Sequence, residues 1–304
     1  MSRKYQIEAG EFFYRYFKKR TSSFHATLYK AGITATDEDI HKARVDLKKV
    51  FALFSFFEIL GPGNFSKKKY SSVFKQIFNR AGKMRECQVN ILYAEQYMID
   101  YPGVLLFIRY LKNEQKKSAK AFISAVFQFD EQKLKEISKS IKKVCSEIRS
   151  DAIIARSEEY IKGKRRKIES VVRKIEDPES VHTIRKELKK MGAILSLLFQ
   201  VKPEENLETL LYKVNITESL IGEWHDRVVL IDSLNHFLKI NNETIETSFT
   251  GLKNLKEMIT VEASQKLETL LPHVEGIVRM AGDIFDAPTF YTSSSPQTPQ
   301  SLSD

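Results

Sequence analysis

Residues 39–57 read DIHKARVDLKKVFALFSFF, and residues 180–199 read SVHTIRKELKKMGAILSLLF. The two stretches align at one constant offset, which pairs His41 with His182. Both have the apolar periodicity of a helix that buries one face. The chain therefore contains an internal repeat whose unit is helical.

The repeated positions are mostly basic. Besides the histidines, the offset pairs Arg44 with Arg185, Lys48 with Lys189, and Lys49 with Lys190. A second block, AGKMRECQV at residues 81–89, aligns at nearly the same offset with IGEWHDRVV at residues 221–229. Two blocks that keep their spacing predict two copies of a helical bundle, about residues 4–128 and 130–281, facing each other about a pseudo-twofold axis.

The composition favours an all-α fold. The 304 residues include only 12 Gly and 8 Pro, so few turns are needed, and no stretch alternates polar and apolar residues as a strand does. The predicted helices cover residues 4–31 with Gly32 as the stop, 37–60 capped by Thr36 or Asp37, 66–100, 104–127, 130–176, 178–200 capped by Asp177, 203–240 and 244–281. We expect one domain over residues 1–285 and a disordered tail at 286–304.

The charge predicts a polyanionic partner. Lys and Arg number 49 against 39 Asp and Glu, a net charge of +10, and the basic excess lies in residues 1–190. Nucleic acid, an acidic membrane and polyphosphate all remain open at this point. Two cysteines, Cys87 and Cys145, form neither a disulfide framework nor a metal site, and no signal peptide or membrane span is evident, so we expect a cytoplasmic protein.

The repeated helix presents its cations on one face and its core residues on the other. Arg grips phosphate oxygens in a fork, Lys supplies a mobile point charge, and a bound phosphate favours the charged form of a nearby His. Cations near a helix start oppose the macrodipole, which suggests that an anion binds there. The set His, Arg, Lys, Lys thus predicts a phosphate cradle that occurs twice.

The residues expected to bind the anion extend beyond the repeated cations. They are His41, Arg44, Lys48, Lys49, Arg85, Lys112, Lys116, His182, Arg185, Lys186, Lys189, Lys190 and His225. The KGKRRK string at 162–167 is either a solvated basic face or part of this site, and Lys67–Lys69 are expected in a loop outside the repeat. Gly82 and Gly222 are expected to allow close helix packing, and Arg85–Glu86 and His225–Asp226 are possible structural hydrogen-bond pairs.

At these residues the sequence resembles the CHAD family, the conserved histidine α-helical domain. The family pattern is H-x-x-R-x-x-x-[KR]-[KR] followed by G-x-x-[RH]-[DE]-x-x-V, each occurring twice, and the resemblance covers roughly residues 5–280. It implies two tandem four-helix bundles around a basic central cavity or pore. It also implies non-catalytic binding of inorganic polyphosphate, with association to polyphosphate granules.

The sequence departs from the family pattern at two kinds of position. Lysines stand where members often carry arginines, which weakens bidentate phosphate contacts, and Glu86 stands where Asp is commoner. Many relatives carry a fused triphosphate-tunnel domain. This chain has no strand-rich segment for one, so we expect the stand-alone helical module.

Two other functions compete with polyphosphate binding. A His beside Lys in a helical bundle also suits histidine-dependent phosphoryl transfer or polyphosphate processing, but hydrolysis of polyphosphate ordinarily uses carboxylates that hold Mg²⁺, and neither basic helix is accompanied by them. Nonspecific nucleic-acid binding is disfavoured because Phe51, Phe54 and Phe57 fall mainly on the core face rather than where bases would stack. No cofactor and no metal are expected.

Overall fold

The computed structural model describes residues 8–175, 177–241 and 246–286, with side chains in the last range from residue 250 onward. Over these ranges the chain forms nine helices and no strand, which confirms the all-α prediction. The helices are α1 (Ala9–Thr34), α2 (Asp37–Leu60), α3 (Lys67–Glu95), α4 (Val104–Phe127), α5 (Gln132–Glu147), α6 (Ser150–Val172), α7 (Pro178–Val201), α8 (Glu205–Ile240) and α9 (Glu246–Phe285).

The two helices of the repeated motif begin with their own side-chain caps. Thr36 accepts the backbone N–H of Asp39 at the start of α2, and Asp177 accepts those of Glu179 and Ser180 at the start of α7. Pro178 occupies the first turn of α7, where its missing N–H costs nothing. Both predicted caps are confirmed, and they satisfy one backbone amide at the start of α2 and two at the start of α7.

Two predicted boundaries are wrong. The segment 130–176 is not one helix, because Ile148 and Arg149 are extended and separate α5 from α6. α5 packs against α1 and α2, whereas α6 packs mainly against α7 and α9. Gly32 does not end α1, which continues to Thr34 and is closed by Ala35 in the left-handed conformation. Gly32 instead lets Val126 of α4 approach, since a Cβ there would lie 2.8 Å from its Cγ1.

The ends of the chain bear on three predictions. Residues 4–7 of the first predicted helix lie outside the described residues, and so do residues 287–304 of the predicted tail. Asp286, the first residue of that tail, is described and accepts a hydrogen bond from Arg165 at 2.6 Å. Arg165 belongs to α6, so this end of α9 is fixed to the body of the protein.

The helices of the two sequence copies have matching neighbours. α2 packs against α1 and α3, and α7 packs against α6 and α8 in the same way. α3 pairs with α4, and α8 with α9. Between the copies, α2 contacts α7 and α3 contacts α8. The two basic helices are therefore brought directly against each other, while the pseudo-twofold axis and the domain limits stay predictions.

The apolar faces predicted for the repeated helices form the main core. Leu47, Val50 and Phe54 of α2 and Leu188 and Met191 of α7 are at most 1% exposed. A smaller separate core joins the ends of α3 and α8 to the starts of α4 and α9. Because the apolar faces of α2 and α7 are fixed in the core, their basic faces line the space between the two copies.

Candidate anion-binding site

Two neighbouring cavities lie along the contact between α2 and α7. The first, here called the His41-side cavity, has a volume of about 700 Å³. It is lined by Tyr16, Arg20, His41, Val45, Lys48, Lys49, Ala52, Arg185, Lys189, Gly192, Ala193, Ser196, Leu211, Asn215, Glu218 and Ser219. The second, the His182-side cavity, has a volume of about 540 Å³. It is lined by Lys48, Phe51, Ala52, Ser55, Lys67, His182, Arg185, Lys186, Lys189, Lys190 and His225.

The two cavities share one wall. Lys48 and Ala52 of α2 and Arg185 and Lys189 of α7 line both of them. Lys48 and Lys189 are the same residue in the two copies of the motif, so the repeat places its cations at the centre of a single continuous basic region. Each copy contributes to both cavities, rather than forming a cradle of its own.

Nine of the thirteen predicted residues line a cavity, and four do not. Those that do are His41, Lys48, Lys49, His182, Arg185, Lys186, Lys189, Lys190 and His225. Lys112 lies 3.4 Å from Glu95, and both it and Lys116 are exposed on α4, away from the two cavities. Arg85 lines neither cavity. Burial is the main cause that lowers the pKa values of Arg44 and His41, and the charge of Arg85 adds to both shifts.

Arg44 is held by α3 rather than facing either cavity. Its Nη1 donates to the carbonyl oxygen of Phe78 at 2.9 Å, and its guanidinium lies 4.6 Å from the centre of the Phe78 ring. A Cβ on Gly82 would come within 2.8 Å of the same Nη1. Gly82 therefore leaves room for a side chain rather than for a helix, whereas Gly222 has open space around it.

The KGKRRK string is engaged by carboxylates. Lys164 lies 3.2 Å from Glu187, Arg165 pairs with Glu169 and Asp286, and Arg166 pairs with Glu159. Glu187 also accepts from Lys190, the one cavity-lining lysine with an ion pair among the described residues. The string is thus a structural network on α6, and none of its residues lines either cavity.

Three cavity-lining charges were missed from the sequence. Arg20 of α1 lies 3.3 Å from buried Asp46, Glu218 comes from α8, and Lys67 begins α3. The expectation that Lys67–Lys69 lie in a loop is wrong, because they form the first turn of α3, and Lys67 lines the His182-side cavity. None of the three belongs to the repeated basic motif, so the repeat could not predict that they line the site.

Burial and mutual repulsion weaken the protonation of the central lysines. Burial, together with the repulsion of Lys189, Arg44 and Arg185, lowers the pKa of Lys48 to about 7. Burial likewise lowers the pKa of Lys189 to about 8, with Arg185 adding to the effect while Glu218 opposes it. Without an anion, these two lysines are therefore incompletely charged near neutral pH.

The histidines differ in their surroundings. Burial lowers the pKa of His41, and Arg85, Lys48 and Arg44 add to the shift. Burial also lowers the pKa of His225 to about 3, so His225 is neutral in the free protein. Its ring packs edge-on to His182, with centroids 5.0 Å apart, and His182 packs against Trp224.

Several polar atoms at the site are buried with no hydrogen-bond partner in the described part of the chain. They are Nε of Arg20, Nε of Arg185 and Nδ1 of His225. The pairs suggested by sequence do not form: Glu86 accepts from Lys83 at 3.1 Å, and Nδ1 of His225 does not reach Asp226. The two arginine Nε atoms are donors, and donors left unsatisfied beside a cavity are suited to an incoming anion.

The cradle lies along the helices rather than at their starts. The first turn of α2 carries Asp37, Glu38 and Asp39, as the macrodipole favours. Thr36 and Asp177 already accept amides at these helix starts, and no residue of the first turn of α2 or α7 lines either cavity, so binding of an anion at the helix starts stays a prediction. The cations follow from the second turn onward, where α2 and α7 face each other.

Two further searches of the described residues gave negative results. None of their helices is long and apolar enough to span a bilayer. No group of three or more His, Cys, Asp or Glu side chains among them is placed to hold a metal ion.

Comparison with known proteins points to one family. The sequence model of the CHAD domain matches residues 16–235, more than half of the chain. The fold is similar to the crystal structure of the CHAD domain from the plant Ricinus communis, with a TM-score of 0.73 at 13% identity, over 90% of this chain and 94% of that one. No curated protein sequence matches the chain significantly.

Proposed function

This chain belongs to the CHAD domain family, and from that premise we propose that it binds inorganic polyphosphate without processing it. The observation that carries the proposal is the shared wall of Lys48, Arg185 and Lys189, which joins two basic cavities into one region. A linear polyanion without bases fits such a region, because it needs repeated cations rather than base-stacking surfaces.

The chemistry of the lining supports phosphate as the bound group. Arg185 offers a fork for phosphate oxygens and has an unsatisfied Nε, while Lys48 and Lys189 gain full charge when an anion arrives. Because the two cavities adjoin, one polymer would contact both, and the second contact would be intramolecular. Association with polyphosphate granules in the cytoplasm would follow from such binding and is part of the proposal.

The aromatic residues disfavour nucleic acid. Phe54 and Phe57 are fully buried in the core, so they offer no face to a base. Phe51 does line the His182-side cavity, but its ring packs against Phe54, Phe74 and Phe78. Tyr16 lines the His41-side cavity, but the Arg20 guanidinium lies 4.8 Å from the centre of its ring, so this basic region favours the unadorned phosphate chain.

A titration at fixed salt tests the binding. Polyphosphate of defined lengths, single-stranded DNA of equal charge and heparin are compared, with the salt dependence measured for each. We expect polyphosphate to bind clearly more tightly than DNA. Equal affinity at matched charge would reduce the site to a nonspecific cation patch.

The non-catalytic part of the proposal has its own measurement. The protein is incubated with polyphosphate, with and without Mg²⁺, and released phosphate and chain length are followed over time. Unchanged chains are expected. Shortened chains, or a phosphorylated histidine, would establish the phosphoryl-transfer alternative instead.

A further inference from the structure

The two cavities differ in one charge. Glu218 lines the His41-side cavity, and no carboxylate is among the residues lining the His182-side cavity. The His41-side cavity otherwise resembles its neighbour, with Arg20 and Lys49 added to the shared cations. A negative charge inside a basic cavity opposes an incoming anion, so this difference bears directly on where polyphosphate binds first.

Glu218 is half-buried and lies against α7. A Cβ on Gly192 would lie 3.0 Å from its Oε1, so the glycine leaves room for the carboxylate. Lys189, Arg185 and Lys48 all act electrostatically on it, and their attraction lowers its pKa. Burial raises the pKa of Glu218 by more, so the neighbouring cations only partly compensate for its desolvation.

The carboxylate has no counterpart in the first copy of the repeat. Glu218 lies four residues before Gly222, and the residue four positions before Gly82 is Phe78. Phe78 holds Arg44 through its ring and carbonyl oxygen, whereas Glu218 presents a charge to Arg185. Equivalent carboxylates, Glu86 and Asp226, act on Arg44 and Arg185 respectively, but only Arg185 is also acted on by Glu218. The asymmetry between the two copies is therefore this one added carboxylate.

We propose that Glu218 is a built-in anionic competitor, so that polyphosphate occupies the His182-side cavity first and enters the His41-side cavity only against the repulsion of this carboxylate, which lies beside the shared cations. The inference rests on the proposed function and deepens it. Glu218 then sets the chain-length preference. A short chain fits within the His182-side cavity and does not approach Glu218, whereas a long chain extends into the His41-side cavity and is repelled by it.

The experiment measures tripolyphosphate and long-chain polyphosphate by calorimetry at one salt concentration. The Glu218→Gln variant keeps the side-chain shape and removes the charge. We expect it to bind long polyphosphate about tenfold more tightly than the wild type, and tripolyphosphate within about twofold. Glu268→Gln, which removes the same charge from the exposed face of α9, should change neither by more than about twofold.

A second variant tests the order of occupation without touching Glu218. Ser55 lines only the His182-side cavity, so Ser55→Glu places a carboxylate where the structure has none. Tripolyphosphate binding should weaken about tenfold. Circular dichroism confirms that each variant keeps its helices, and either variant alone decides the question if the other does not fold.

The outcomes separate this inference from the proposed function. A wild type that binds neither ligand overturns the proposed function and the inference with it. A wild type that binds both, with Glu218→Gln giving equal gains or none, overturns the inference alone. Weaker binding by Glu218→Gln would make the carboxylate a positioning group for the lysines, and unchanged tripolyphosphate binding by Ser55→Glu would contradict the order of occupation.

Discussion

Lys48 of α2 and Lys189 of α7, the same residue in the two copies of the motif, stand together in the wall that both cavities share. Lys189 contributes to lowering the pKa of Lys48, although burial is the larger cause. Neither lysine has an ion pair among the described residues. Two half-buried lysines without ion pairs are costly to a fold, and an anion between the two copies would offset that cost.

The first prediction concerns this pair. Lys48→Ala with Lys189→Ala should weaken polyphosphate binding at least about a hundredfold, because two partly buried charges at the centre of the site are lost. Lys112→Ala with Lys116→Ala is the matched control, since it also removes two positive charges, and these lie on the exposed face of α4. Calorimetry at fixed salt compares the two. Similar losses would mean that net charge, not position, governs binding.

The second prediction separates the repeated arginines. Arg185→Ala should weaken polyphosphate binding, because Arg185 lines both cavities. Arg44→Ala should instead lower the free energy of unfolding by about 1–3 kcal/mol, through the lost hydrogen bond to Phe78 and the lost ring contact. Denaturant unfolding and a binding titration are run on both variants. If the two variants lose the same binding affinity and have the same free energy of unfolding, both arginines contribute equally to polyphosphate binding.

The third prediction uses the repeated glycines. Gly222→Ala should raise the free energy of unfolding by about 0.5–1 kcal/mol, since Ala favours a helix and the space around Gly222 is open. Gly82→Ala should bring no such gain, because the new methyl group displaces Arg44. Denaturant unfolding measures both. An equal gain at the two positions would mean that Arg44 moves aside at no cost.

The residues predicted correctly are those whose role is local or repeated. Thr36 and Asp177 were identified as caps from sequence alone, and the cavity-lining cations of α2 and α7 follow from the helical periodicity of the motif. A helix with one apolar face must turn that face to the core, so the direction of its basic face is fixed as well.

The residues predicted wrongly depend on which helices meet. Lys112 and Lys116 have the same basic periodicity as the site, but α4 packs against α3 and α1 and leaves them exposed. Glu218 is on α8 and Arg20 on α1, and only the packing of four helices shows that they reach the same cavity. Periodicity shows which way a face points within a helix, and it does not identify the helix opposite.

The last prediction concerns pH. Binding of polyphosphate should be accompanied by proton uptake, and we assign this uptake to Lys48 and Lys189 rather than chiefly to the histidines. The pKa of Lys48, about 7, and that of Lys189, about 8, lie below the ordinary 10.5, so in the free protein both lose protons as the pH rises above neutrality. A bound polyanion raises both values towards 10.5, and the complex then holds more protons than the free protein. By linkage, affinity must increase as the pH falls from about 10 to about 7 and level off below that.

The lowered pKa values of the two lysines also determine how the free energy of unfolding changes with pH, and proton uptake on binding can be measured directly. Because folding lowers both pKa values, the folded free protein loses stability as the pH falls from about 10.5 towards 7, and polyphosphate should restore it. Calorimetry at pH 8 in buffers of different ionisation enthalpy should show proton uptake by the wild type. Lys48→Arg with Lys189→Arg should bind with much less uptake, because arginine stays charged across this range. His41→Gln with His182→Gln is the comparison: if it abolishes the uptake at pH 8 and the arginine variant does not, the titrating groups are the histidines, and Lys48 and Lys189 are charged before the anion arrives.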